Sequence, residues 1–299
     1  MSEKIAFLFS GQGTQYVGMG EWISDHQVVK EVFKKAHDAT GIDIKKLCFE
    51  GPKEVLNETI NTQPALVAVG LAMMAYLNEQ GIVPHEAAGH SLGEITALAA
   101  VGALGLGQAV ALAKERGRLM QKAGVTSPQT MAALIGLSLD EIAAICTETG
   151  AYVANINYAT QIVISGTVVD VEKACREAKA LQKAKGMKER VFPLNVSIAA
   201  HSPLMESVQE EYRDYVMGIQ FENPHIPFVA NYTGEYVRSA QQIPELLVNQ
   251  LTGTVQWLKT IHTMTNNGVD TFYEVGPGKV LTGLIQNINP NVHVVTTNV

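Results

Sequence analysis

The stretch Glu86-Ala87-Ala88-Gly89-His90-Ser91-Leu92-Gly93-Glu94-Ile95 governs how the rest of the chain is read. A short apolar run meets Gly-x-Ser-x-Gly and passes into an alanine-rich segment, which spells strand, sharp turn and helix. In such a turn the serine sits in a strained backbone conformation, and the flanking glycines remove Cβ atoms that would clash. The helix that follows points its first N–H groups at the serine, so the backbone N–H of Leu92 can stabilise an oxyanion. A plain glycine-rich β-to-α turn is the bland alternative; a strand before and a helix after argue for the nucleophile elbow instead.

Toward the N-terminus, Ile5-Ala6-Phe7-Leu8-Phe9 reads as a buried strand ended by Ser10-Gly11, with helix expected over Glu21 to Ala39. Gln63 to Leu77 reads as a core helix, capped by Asn61-Thr62 with Pro64 in its tolerant first turn. Ile95 to Ala113 is uncharged for 19 residues and is the one stretch that mimics a membrane span. Thr96, Gln108 and three glycines (Gly102, Gly105, Gly107) make it two buried helices joined by a turn instead.

The middle of the chain changes rhythm. Strand-like Met131 to Gly136, helical Leu137 to Thr149, strand-like Tyr152 to Ala159 and Gln161 to Ser165, helical Val168 to Ala184 and strand-like Glu189 to Val196 follow in turn. That is βαββαβ, the ferredoxin-like pattern, bracketed by turn-rich segments. After Pro203 come helix (Leu204 to Val216), strand (Pro227 to Asn231), helices (Ile243 to Leu251, Val255 to Asn266) and strand (Thr271 to Val275). The expected architecture is α/β. A large α/β-hydrolase-like unit (1–125 and 199–299) carries the elbow, and a ferredoxin-like subdomain (126–198) is inserted into it.

Composition limits the function. With 299 residues, 46% of them hydrophobic and 17% charged, the chain can bury a substantial core. A net charge of −7 without a Lys/Arg block argues against nucleic acid. Cys48, Cys146 and Cys175 are far apart and no histidine pair has helical metal spacing, so neither a disulfide framework nor a zinc site is expected. Met1 to Lys4 and the short apolar run after them make neither a signal-peptide core nor a cleavage site. A cytoplasmic monomer that engages no membrane is the expectation.

A serine nucleophile needs a base. Of the eight histidines, His201 lies in a turn-rich segment after an expected strand and is the first candidate; His90 reads as a supporting or packing residue beside the serine. Spacing alone does not choose the group that orients His201.

Several segments then occur in order: Phe9-Ser10-Gly11-Gln12-Gly13-Thr14-Gln15, Thr62-Gln63-Pro64-Ala65-Leu66, Gly89-His90-Ser91-Leu92-Gly93-Glu94, Arg116-Gly117, Val163-Ile164-Ser165-Gly166, His201-Ser202, Gln250-Leu251 and Glu274-Val275-Gly276-Pro277-Gly278-Lys279. From about Ile5 to Leu284 the chain resembles the malonyl-CoA:acyl-carrier-protein transacylases of fatty-acid synthesis and the related acyltransferases of polyketide synthases. The resemblance implies that Ser91 is acylated, that His201 is its base, and that the N–H groups of Gln12 and Leu92 form the oxyanion hole. It also implies that the backbone carbonyl near Gln250 orients His201, taking the part of the acid in a Ser-His-Asp triad. Arg116 would hold the malonyl carboxylate through two parallel hydrogen bonds, with Gln63 lining the same pocket.

The implied reaction is ping-pong transfer from malonyl-CoA to the phosphopantetheine thiol of an acyl-carrier protein, with a CoA thioester as substrate and no bound cofactor or metal. His201, base in one half-reaction and acid in its reverse, calls for a pKa near neutrality.

The chain departs from the usual pattern at Ser10, at Ser127-Pro128-Gln129-Thr130, at Asn157-Tyr158-Ala159-Thr160-Gln161 and at Ala199-Ala200. Ala200 leaves room beside the acyl Cα. These departures point toward a stand-alone enzyme of polyketide or hybrid assembly, and leave malonyl and substituted malonyl both open. An editing hydrolase of carrier-protein thioesters shares the fold, but a buried Arg116 without a carboxylate to pair is costly there. A catalytically silent carrier-docking module is the third reading, and the intact Ser91, His201, Arg116 and Gln63 argue against it. Carrier proteins are acidic, and Lys183, Lys185, Lys188 and Arg190 form the densest basic group, a candidate docking patch.

Overall fold

Five consecutive apolar residues form β1 (Ile5–Phe9), an inner strand with a helical layer on each face. The computed structural model describes residues 3–125 and 127–297. Met1, Ser2, Asn298, Val299 and Thr126, the last at the expected boundary, lie outside the described residues.

The chain continues through α1 (Gln27–Thr40), α2 (Ile44–Glu50), α3 (Lys53–Leu56) and α4 (Thr59–Glu79) to β2 (Glu86–Gly89). Across the elbow come α5 (Gly93–Ala100) and α6 (Leu106–Gly124), the two helices expected from the uncharged stretch. Expected helix from Glu21 starts as a single 3-10 turn, and α1 proper begins only at Gln27. Helix α4 begins at Thr59 rather than after Thr62, so Pro64 falls in its second turn. The Thr62 hydroxyl does not cap the helix; it donates to the Leu56 carbonyl at 2.5 Å. By length and composition α4, and not Ile95 to Ala113, is the helix that could cross a membrane; most of it is buried inside the protein.

The next six elements are β3 (Gln129–Ile135), α7 (Leu139–Thr149), β4 (Tyr152–Tyr158), β5 (Gln161–Thr167), α8 (Val168–Ala184) and β6 (Val191–Pro193). Their antiparallel sheet has the order β4-β5-β3-β6. Local chemistry fixes the helix starts: the Ser138 hydroxyl accepts the Glu141 N–H at 3.3 Å, and the Thr167 hydroxyl accepts that of Asp170 at 3.2 Å. The last strand is three residues long, shorter than expected.

The chain closes with α9 (Glu206–Met217), α10 (Ile243–Thr252), α11 (Trp257–Asn266), β7 (Thr271–Val275), α12 (Val280–Ile288) and β8 (His293–Thr296). Pro227 to Asn231 is not a full strand. Phe228 and Val229 make single bridges, to Ala87 and Tyr236, and proline at 227 cannot donate to a ladder. The parallel sheet runs β2-β1-β7-β8.

Strand periodicity sorts the core. Phe7, Phe9, Ala87 and Val275 face α1, α4, α5 and α6, whereas Ala6, Leu8, Ala88 and Phe272 face α11 and α12. In the antiparallel sheet, Ala132, Leu134, Ile162 and Ile164 pack on α7 and α8. The alternate residues Met131, Ala133 and Val163 turn to the opposite side, where they roof a cavity over the elbow. Bridging of Asn155 to Val255, just ahead of α11, ties this sheet to the segment between α10 and α11.

Candidate active site

The ends of β1 and β2 converge on the elbow. A Cβ on Gly89 would stand 1.9 Å from the Gly93 carbonyl oxygen, and one on Gly93 would stand 2.1 Å from that of Phe9. No side chain fits at either position, which is the physical content of the Gly-x-Ser-x-Gly spacing. Among the described residues, the non-glycine positions with positive φ are Ser91 (52°) and His201 (59°). Such conformations cost of order 1–3 kcal/mol each and persist only where the surroundings impose them. Here Asn231 imposes one: its Oδ1 accepts the Ser91 N–H at 2.6 Å and its Nδ2 donates to the Gly89 carbonyl at 2.5 Å.

The two strained residues meet. Ser91 Oγ lies 2.6 Å from His201 Nε2, and His201 Nδ1 lies 2.7 Å from the backbone carbonyl of Gln250. A carbonyl can only accept, so Nδ1 carries the proton, Nε2 is bare and Ser91 donates to it. Burial, then the Arg116 charge, hold the His201 pKa down at about 3, against hydrogen bonding that raises it. The resting imidazole is therefore neutral, the form whose bare Nε2 can take the serine proton.

Arg116 is buried under the same serine. Its Nη1 donates to Gln63 Oε1 and its Nη2 to Gln250 Oε1, both at 3.0 Å, and Nη2 stands 3.4 Å from Ser91 Oγ. Among the described residues no carboxylate pairs with it, and burial lowers its pKa. Gln63 therefore does not line the cavity as expected: wholly buried, it stands behind Arg116 and aims the guanidinium. The side chain of Gln250 acts likewise from the opposite side.

The cavity has a volume of about 510 Å³. Ser91, His201, Arg116 and His90 form its polar floor, and Gly11, Gln12 and Gly13 border it. Among the described residues, neither the Gln12 nor the Leu92 backbone N–H has an acceptor within the chain, so both are free to bind an oxyanion. Ala200, nearly buried, and Met131, Ala133 and Val163 give the cavity an apolar wall. His90 takes part through its ring: Nε2 lies 2.9 Å from Asn157 Oδ1, and the ring meets that of Trp257 edge-on at 5.1 Å. Burial lowers its pKa, partly offset by the Asn157 bond.

Sequence reading missed Asn231, Glu94 and the pair Asn155 and Asn157. A polar residue ending the apolar run Phe228-Val229-Ala230 was the available signal for Asn231, and polar residues two apart in a strand for Asn155 and Asn157. Irregular register at Val153/Asn155 and Ile156/Tyr158 breaks the alternation of β4, and both asparagines line the cavity. Of the basic group, Lys185 is engaged by Glu141 at 2.6 Å, leaving Lys183, Lys188 and Arg190 exposed.

Residues 6–295 match the model of the acyl transferase domain. The malonyl CoA-acyl carrier protein transacylase of Escherichia coli is 40% identical over 291 residues, 95% of this chain and 93% of that protein. The chain belongs to the malonyl CoA-acyl carrier protein transacylase family. The Bacillus subtilis member is 38% identical over 292 residues, 96% of this chain and 90% of its own length. Among solved transacylase structures, that from Clostridium perfringens superposes with a TM-score of 0.92 at 36% identity, covering 99% of this chain and 93% of that one. A malonyl-transacylase in complex with its type II PKS acyl-carrier protein gives 0.92 at 37%, covering 99% and 96%. The mixed α/β architecture is thus that of the transacylase family.

Proposed function

We propose that this chain transfers a malonyl group from CoA to the phosphopantetheine thiol of an acyl-carrier protein through an acyl-Ser91 intermediate. The observation that carries this reading is the convergence of a hydrogen-bonded Ser91–His201 pair and a buried, carboxylate-free Arg116 on one cavity floor. Ser91 Oγ attacks the thioester carbonyl, and its proton passes to His201 Nε2. The C–S bond breaks, and the proton follows the departing CoA sulfur. The carrier thiol then reverses these steps. The N–H groups of Gln12 and Leu92 hold the oxyanion in both halves. No metal or bound organic cofactor is called on.

We also read the architecture as an α/β-hydrolase-like unit, 1–125 and 199–299, with a ferredoxin-like insertion, 126–198. The order β4-β5-β3-β6, with α7 and α8 on one face, supports the insertion. Small Ala200 on the cavity wall supports a malonyl or α-substituted malonyl unit.

Intact-mass measurement after brief exposure to malonyl-, methylmalonyl- or acetyl-CoA tests the reaction. A malonyl-sized adduct present on the native chain and absent from Ser91→Ala is expected. CoA release with no lasting adduct would instead identify a hydrolase.

For the carrier we infer a landing surface at Lys183, Lys188 and Arg190, beside the exposed Phe192 and Leu194, the latter on the cavity rim. Reversing charge at Lys188 and Arg190 should raise the carrier KM about tenfold and leave that for malonyl-CoA unchanged. An unaltered carrier KM would remove this surface from consideration.

A further inference from the structure

Glu94 is buried in the first turn of α5, and its carboxylate touches neither the cavity nor a cation. Its Oε1 accepts the backbone N–H of Asn231 at 2.9 Å, and its Oε2 accepts Gln250 Nε2 at 2.5 Å. The second Nε2 hydrogen of Gln250 goes to the Ser91 carbonyl at 2.8 Å, so both its donors are spent on the elbow. Only Oε1 is left, and it faces Arg116. An amide is symmetric in shape but not in chemistry. Turned over, Gln250 would set its NH₂ against the guanidinium and leave two acceptors of the elbow unpaired.

We propose that Glu94 is a positioning residue that locks the Gln250 amide with its oxygen toward Arg116, and so sets the guanidinium for an acyl carboxylate. The inference rests on the reading of Arg116 as the carboxylate-binding residue. A carboxylate is required at 94 because two donors converge on it. An amide in its place has one acceptor and one donor, so whichever way it turns, a donor meets a donor, at Gln250 or at the Asn231 N–H. The geometry thus links the elbow, which any acyl transfer needs, to the discrimination that only a dicarboxylic acyl group needs.

Burial raises the Glu94 pKa to about 7, against the lowering effect of the bonds from Asn231 and Gln250 and of the Arg116 charge. The other groups facing it are Arg116 from α6, which stays charged, and Tyr212 from α9, whose hydroxyl burial holds neutral. Protonation of Glu94 would disrupt the same contacts as an amide does.

The test is Ser91 acylation from mixed malonyl- and acetyl-CoA, read by intact mass, for the native chain, Glu94→Gln, Arg116→Ala and the double variant. Glu94→Gln should lower the malonyl-to-acetyl ratio about 10- to 100-fold, and should lower it no further in the Arg116→Ala background. Equal losses for the two acyl groups, an unchanged ratio, or a loss that adds in full to that of Arg116→Ala would each overturn the proposal. If Arg116→Ala alone leaves the ratio unchanged, the reading of Arg116 has failed, and the result is separable from failure at Glu94. Should Glu94→Gln not fold, the native ratio between about pH 8 and 5 replaces it, since His201 serves both substrates and cancels. A ratio that falls with pH supports the lock, and a flat one overturns it.

Discussion

Replacing His201 with alanine should slow malonylation of Ser91 about 10,000-fold without abolishing malonyl-CoA binding. A serine hydroxyl is a weak nucleophile until its proton is taken, and the only base within hydrogen-bond reach of Ser91 Oγ among the described residues is His201 Nε2, at 2.6 Å. The Gln250 carbonyl fixes the tautomer that leaves Nε2 bare. A pKa of about 3 makes the resting imidazole a poor base, but its causes are burial and the Arg116 charge, and one of them is removable. A bound malonyl carboxylate neutralises Arg116, and the developing oxyanion adds negative charge nearby, so His201 gains basicity as the reaction needs it. The sign follows: the base form is present above the His201 pKa and is lost as pH falls through it, and a bound carboxylate moves that loss to higher pH than in the resting site. Rapid-quench intact mass of acyl-Ser91 at saturating malonyl-CoA measures the rate. A loss below about tenfold would mean another group takes the proton.

The parts of this site that steric necessity dictates were legible in the sequence. Gly89 and Gly93 tolerate no Cβ, so their spacing around Ser91 announced the elbow; β1, β7 and α8 fell where strand and helix patterns put them. Short helices α2 and α3 carry too few turns to show a period, and α12 and β8 follow a Gly-Pro-Gly turn without a strong pattern of their own. Contacts between distant polar residues left no local trace. Asn231 lies 140 residues from the serine whose N–H it binds, and nothing near Gln63 distinguishes a cavity wall from a support behind Arg116. The resemblance supplied Gln250, but the role of its side chain, as distinct from its carbonyl, emerged only from the packing.

Arg116→Ala should reduce malonylation about 100- to 1,000-fold while acetylation of Ser91 changes far less, so that selectivity collapses. The argument turns on what the buried guanidinium lacks. Two of its N–H groups are spent on Gln63 and Gln250; among the described residues no carboxylate bonds to it directly, Glu94 reaching it only through Gln250, so it keeps unspent donors on the cavity floor, 3.4 Å from the nucleophile. Desolvating a cation without a counter-ion in direct contact is costly, and a carboxylate-bearing acyl group supplies that contact, whereas an acetyl group leaves the cost standing. Arg116→Lys should not restore the rate, because an ammonium cannot hold both glutamine oxygens and offer a planar pair of donors to a third acceptor. Stability separates this from a folding defect: loss of two hydrogen bonds is offset by removal of a desolvated charge, so Tm should move by no more than about 4 °C. Initial rates of acyl-Ser91 formation from each thioester, with calorimetry alongside, check both halves. Equal losses for malonyl and acetyl groups would make Arg116 a support for the elbow, and the carboxylate would then have to be recognised elsewhere in the cavity.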